Sequence, residues 1–257
     1  MSARAAARYG SAVRCAAHQR GLSLIELMVA ILIALFLIGG IIVVEQGVNL
    51  AYGQQSGLAQ LQDEQRFAMS VLDGVIGTAG YFPDPLTNSL VTALPASGNF
   101  GTAGQAIYGP GTGTFGDSIY VRYMTEAGDG LTLCDGSSAA TNTYTSYLYV
   151  AADTSGAGGD DLYCQLNGGT PVALVNGVTK MTILYGVATG SDNNVTEYLT
   201  SAQVTAGSYW PNVTSVQVQL TFTNPLATQS GQTVSGQPPT VSFTRVMSIM
   251  GRVGVSQ

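Results

Sequence analysis

Charge and imidazole are scarce in this chain. Only 9% of its 257 residues are Asp, Glu, Lys or Arg, and its one histidine is His18. The rest of the sequence therefore has no imidazole for a Ser-His pair, a histidine-ligated metal or a switch near neutral pH. The net charge is −6, so no broad basic patch is available for a phosphate backbone, and nucleic-acid binding is disfavoured. Nucleophile-elbow, Walker and paired Cys-x-x-Cys patterns are also missing. The chain reads as a non-enzyme, with no catalytic residue, metal or cofactor expected.

The N-terminal end is the most informative part of what is there. Arg4, Arg8, Arg14 and Arg20 precede Gly21 with no acid among them. Leu22–Val44 then runs as hydrocarbon and glycine broken only by Ser23 and Glu26. Within it Leu27–Val44 is 18 residues without a charge, close to the roughly 20 that cross a bilayer core of about 30 Å as a helix. The basic flank should stay cytoplasmic, placing the residues after Val44 on the far side. A secretory signal ends its apolar core before a small-residue cleavage site. Here Gly21 comes first, so a cut after it would leave the core with the mature protein. A plain signal anchor has no use for a carboxylate inside its span. Glu26 there costs about 2–3 kcal/mol at depth and less near the interface, so a neutralising partner is expected. The alternative is an unpaired glutamate snorkelling to the interface.

The run Gly21-Leu22-Ser23-Leu24-Ile25-Glu26 behind a basic leader resembles a type IV prepilin junction. The resemblance implies cleavage after Gly21, methylation of Leu22 as the new terminus, and pairing of Glu26 with the terminal amine of a neighbouring subunit. Loss of residues 1–21 removes four of the nine basic residues and none of the fifteen acids, moving the charge from −6 to −10. His18 and Cys15 leave as well. Cys134 and Cys164 remain, an even pair expected to form one disulfide in an oxidising compartment. Two unpaired thiols or half a metal site is the alternative.

Beyond the span, Leu58, Leu61, Ala68, Leu72, Ile76 and Ala79 recur at helical spacing among polar residues. A helix from Leu22 to about Gly80 is expected, weakened at glycines 39, 40, 47, 53 and 57 by about 0.5–1 kcal/mol each. Any bend would rest on these glycines. Pro83 and Pro85 close the helical stretch. From there the pattern is β: Ser118–Met124, Tyr144–Val150, Leu162–Leu166, Pro171–Val175, Lys180–Val187, Ser215–Thr223 and Val241–Met247 read as strands. The fold class is α+β, a long N-terminal transmembrane and amphipathic helix packed on an antiparallel β-sheet, in one core with at most a second small sheet. The expected organisation is a removable leader at 1–21, a transmembrane and assembly half-helix at 22–45, an amphipathic half-helix at 46–82 and a β-rich globular domain at 83–257.

Other features carry less. Gly111-Thr112-Gly113-Thr114-Phe115-Gly116 matches a dinucleotide fingerprint as text, but it lacks the strand before and the helix after that cradle a phosphate. Asp153, Asp160 and Asp161, and Asp192, Asn193, Asn194 and Glu197, read as solvated turns without EF-hand spacing. Trp210, Tyr144, Tyr147 and Tyr149 read as core and strand packing before a sticky surface.

Gln65-Arg66-Phe67-Ala68, Ala79-Gly80-Tyr81, Leu162-Tyr163-Cys164, Leu174-Val175-Asn176-Gly177-Val178, Ile183-Leu184-Tyr185-Gly186, Thr196-Glu197-Tyr198 and Val213–Leu220 are similar to the PilW family of minor type IV pilins. The acidic-apolar-basic step that this family often carries before Ala-Gly-Tyr is replaced here by Val75, Ile76 and Gly77. The resemblance implies an inner-membrane subunit that joins the pilus, primes its assembly and sits near its tip in support of adhesion or twitching motility. The implied partners are other minor pilins and the major pilin, prepilin peptidase, the inner-membrane assembly platform, a large tip adhesin, and membrane lipid along residues 22–44. A type II secretion pseudopilin and a membrane-anchored periplasmic binding domain are the alternatives.

Overall fold

The computed structural model describes residues 23–153, 159–190, 194–229 and 232–249. The chain divides into two compact units, Met1–Tyr52 and Gly53–Gln257. One helix, α1 (Leu24–Gly77), supplies all of the described first unit except Ser23 and continues into the second. It passes through glycines 39, 40, 47, 53 and 57 without a break. A glycine removes about a kilocalorie of local stability, whereas an interior proline removes a donor and clashes with the preceding turn; α1 contains none. The helix stops at Gly77, three residues earlier than expected. Gly80 adopts φ 75° and donates its N–H to the carbonyl of Arg122 at 3.0 Å, so a contact with the sheet ends the helix before Pro83 does.

The second unit also contains short helices α2 (Leu90–Ala93) and α3 (Ser201–Ala206). Its first strands are β1 (Ile107–Tyr108), β2 (Thr112–Gly113), β3 (Gly116–Asp117), β4 (Ile119–Thr125) and β5 (Asn142–Ala152). There follow β6 (Asp160–Leu166), β7 (Val172–Asn176), β8 (Val178–Val187), β9 (Glu197–Leu199) and β10 (Val213–Thr223). A small hairpin, β11 (Thr228–Gln229) and β12 (Gln232–Thr233), precedes β13 (Thr240–Ser248). All seven strands expected from the sequence are present, with no end shifted by more than two residues.

These strands make two substantial sheets, where one main sheet was expected. The first has the order β1-β4-β5-β6-β7 and the second β13-β10-β8-β3-β2, with β9 also on β8. The pairings are antiparallel except that β3 lies parallel to β8, with Gly116 opposite Met181. A Cβ at Gly116 would stand 2.0 Å from the Met181 carbonyl oxygen, and φ is 95°, so this approach of two backbones requires glycine. Asp117 completes the join by accepting from the Ile183 N–H at 2.8 Å.

Alternation in β10 turns Val216, Val218, Leu220 and Phe222 inward and Gln217, Gln219 and Thr221 outward. They share one core with Leu61, Ala68, Leu72, Val75 and Ile76 of α1 and with Ile119, Leu148 and Leu162 of the first sheet. Trp210 belongs to this core, 4.9 Å edge-on from Tyr185 and 5.4 Å from Tyr108. Tyr147 and Tyr149 stack across the first sheet with Tyr120 and Tyr163 at ring separations of 4.1–5.7 Å, as strand packing requires.

Candidate functional site

Glu26 lies in the first turn of α1. The turn is held by Ser23, whose hydroxyl oxygen accepts from the Glu26 N–H at 3.3 Å and whose carbonyl accepts from Glu26 and Leu27 at 3.0 and 3.2 Å. Ser23-Leu24-Ile25-Glu26 has the serine-to-glutamate spacing of a capping box, a local signal able to mark this helix start from the residues alone. A carboxylate there faces the positive end of the helix dipole. Gly21 and Leu22, the expected processing residues, lie outside the described residues. From Ser23 to Gly53 every residue is exposed, including Leu24, Phe36 and Val43, at 78%, 86% and 69%. An apolar helix with no protein cover is long enough to cross a membrane.

In the second unit α1 is fixed to the sheets by its buried stripe and by one ion pair. Asp73 accepts from the Arg245 guanidinium at 3.0 Å, tying the helix to β13. Both side chains are nearly half exposed, so the pair contributes at most about 1 kcal/mol. It provides a helix-to-sheet link although Val75, Ile76 and Gly77 carry no charge. Cys134 and Cys164 are bridged with Cα atoms 6.2 Å apart, joining the segment after β4 to β6.

Arg122 in β4 escaped the sequence reading, because nothing local marks an arginine as buried. The residue is 4% exposed, and its guanidinium donates to the carbonyls of Pro95, Leu94 and Gln105 at 2.7, 3.2 and 2.8 Å. It also lies 4.3 Å above the Phe100 ring. Burial lowers its pKa, and the carbonyl dipoles and the ring together replace a counter-ion. Asp160 and Asp161, expected in a solvated turn, instead open β6, and Asp161 is buried at 3% exposure; burial first and then the neighbouring Asp153 raise its pKa, while the Gly177 N–H opposes the shift. Asp192 and Asn193 of the other acidic turn lie outside the described residues. Among the described residues no three His, Cys, Asp or Glu side chains converge as metal ligands.

The prokaryotic N-terminal methylation motif matches residues 16–42. The family model described as Type IV Pilus-assembly protein W matches residues 147–248. Together they support a PilW-type minor pilin. No curated protein and no solved structure matches the chain. The PilW match begins inside β5 and ends with β13, so it takes in the strands that carry Cys164, Tyr185 and Arg245. The methylation motif takes in Gly21, Leu22 and Glu26. Pilin domains of this kind are structural proteins, and the long apolar helix fits a membrane-anchored PilW-type pilin.

Proposed function

We propose that this chain is processed after Gly21, methylated at Leu22, and incorporated into a type IV pilus as a minor subunit that primes assembly and lies near the tip. The observation that carries the reading is the presence in one chain of the methylation motif at 16–42 and the PilW match at 147–248. In this reading Glu26 pairs with the amine of an adjacent subunit, an amine that exists only after cleavage. Before assembly the helix spans the inner membrane with its leader cytoplasmic and the β-rich domain periplasmic. Other minor pilins, the major pilin, the assembly platform and a tip adhesin are then its partners. The methylation motif is shared with pseudopilins, and the PilW match favours the pilus over the secretion reading.

The test compares wild type with Glu26→Leu and Glu26→Asp in sheared pilus fractions and membrane fractions. Wild type and Glu26→Asp should appear in fibres, and Glu26→Leu should remain in the membrane at normal level. Mass spectrometry of the fibre form should begin at a methylated Leu22. Equal incorporation of Glu26→Leu, or an intact N terminus in fibres, would refute the proposal.

A further inference from the structure

A groove of about 470 Å³ runs between the helix and the free edge of the first sheet, within the range of small binding sites. Phe67, Val71 and Gly74 of α1 form one wall, Val172 and Leu174 of β7 the other, and Leu133 beside the disulfide lies between them. The lining is mainly apolar yet open to water: Phe67 is 55% exposed and Val172 42%.

Among the described residues β7 closes its sheet with no strand beyond it, and Val172-Ala173-Leu174-Val175 carries no charge. Free edges are ordinarily blunted by lysine, by inward charges or by shortness, and an apolar edge left bare invites another strand. The other free edges here follow that rule, since β13 presents Arg245 and a row of Ser and Thr while β1 and β2 have two residues each. At β7 an apolar edge sequence meets an adjoining groove.

Charge narrows what can cover it. Among the described residues, the only ionisable side chain lining the groove is Asp135, held as a carboxylate because its oxygen accepts from the Ser137 hydroxyl and N–H at 2.6 and 3.0 Å. The Gly53–Gln257 unit carries thirteen acids and five bases. Of those bases Arg122 is buried and Arg245 is paired with Asp73. Among the described residues a second copy would bring like charge, and its other two cations lie on the helix, at Arg66, and in the already paired strand β8, at Lys180.

We propose that the β7 edge and its groove receive an extended segment of a different, basic subunit, which adds a strand to the first sheet. Its alternate apolar side chains fill the space between Phe67 and Val172, and its Lys or Arg meets Asp135. The proposal rests on the pilus-subunit reading and assigns a partner surface within it.

The test places p-benzoylphenylalanine at Val172 in the full chain, irradiates intact piliated cells, and maps the adduct from sheared fibres by mass spectrometry. An adduct to an extended, Lys- or Arg-containing segment of another subunit is expected, and Asp135→Lys should reduce its yield at least tenfold. The same residue at Thr244, on the outward face of β13, should give at most a tenth of the Val172 yield. The chain present in fibres without an adduct, an adduct to its own copy, to lipid or to an N-terminal helix, or a yield unchanged by Asp135→Lys would overturn the groove assignment alone. A chain that never enters fibres would overturn the pilus reading and this inference with it.

Discussion

Opening the Cys134–Cys164 bridge should destabilise the β-rich unit without changing its architecture. The two cysteines are 30 residues apart, and the loop-closure expression gives about 3.6 kcal/mol for a loop of that length at 25 °C. Both side chains are buried, Cys134 at 5% and Cys164 at 1% exposure. The Cys134→Ser/Cys164→Ser pair therefore also places hydroxyls in an apolar setting, and the corresponding alanine pair separates that effect. For a unit of this size a guanidinium slope of about 4 kcal/mol/M is ordinary, so the midpoint should fall by about 0.9 M. The assay is guanidinium unfolding of the detergent-solubilised chain, followed by Trp210 fluorescence, with and without reductant. Thiol titration under denaturing, non-reducing conditions should find one thiol, Cys15, in the uncleaved chain and none after removal of residues 1–21. An unchanged midpoint on reduction would refute the loop-entropy argument, and two additional reactive thiols would refute the bridge itself.

Three further outcomes rest on particular contacts. Arg122→Leu removes the donor shared by three carbonyls and should cost about 3 kcal/mol, read as a Tm lowered by about 6–12 °C, with proteolysis appearing first between residues 94 and 105. Gly116→Ala should cost at least about 3 kcal/mol through the contact with Met181, whereas Gly130→Ala, at φ 75° with nothing within 4 Å, should cost about 1 kcal/mol. Asp161 has its folded pKa raised, so the folded state binds its proton before the unfolded state does. Its contribution to stability therefore rises as pH falls through the folded value toward the unfolded one near 3.8, and declines as pH rises. Asp161→Asn should flatten that part of the Tm-against-pH curve and leave Tm at pH 7 equal or higher; a steeper curve would contradict the sign.

The long elements were legible because their periodicity is long. The α1 stripe from Leu61 to Ile76 and the alternation of Val216 to Phe222 each repeat often enough to be read without a partner in view. What escaped was set by contact or by caps. The pairing of Gly116 with Met181 joins positions 65 residues apart and leaves no local period. The helices α2 and α3 are four and six residues long, too short for an amphipathic signal. Their caps were nevertheless written in the chain: Ser89 and Thr92 bond reciprocally, and Gln203 reaches back to the Thr200 N–H at 2.9 Å. For the N-terminal junction the residue pattern carried the inference, since Gly21 and Leu22 lie outside the described residues. Asp73 and Arg245 could not be matched from sequence because each is an ordinary surface charge until the helix is laid on the sheet.

The grip of Arg122 on residues 94–105 has a consequence for how this molecule can change. It takes hold of main-chain oxygens, which every amino acid supplies, so the exposed side chains along that segment can vary while the attachment persists; Phe100 and the buried Leu94 and Gln105 are the exceptions. The segment also lies outside the span matched by the PilW model. A single buried cation thus gives the molecule an attachment that is blind to sequence, beneath a surface free to diverge.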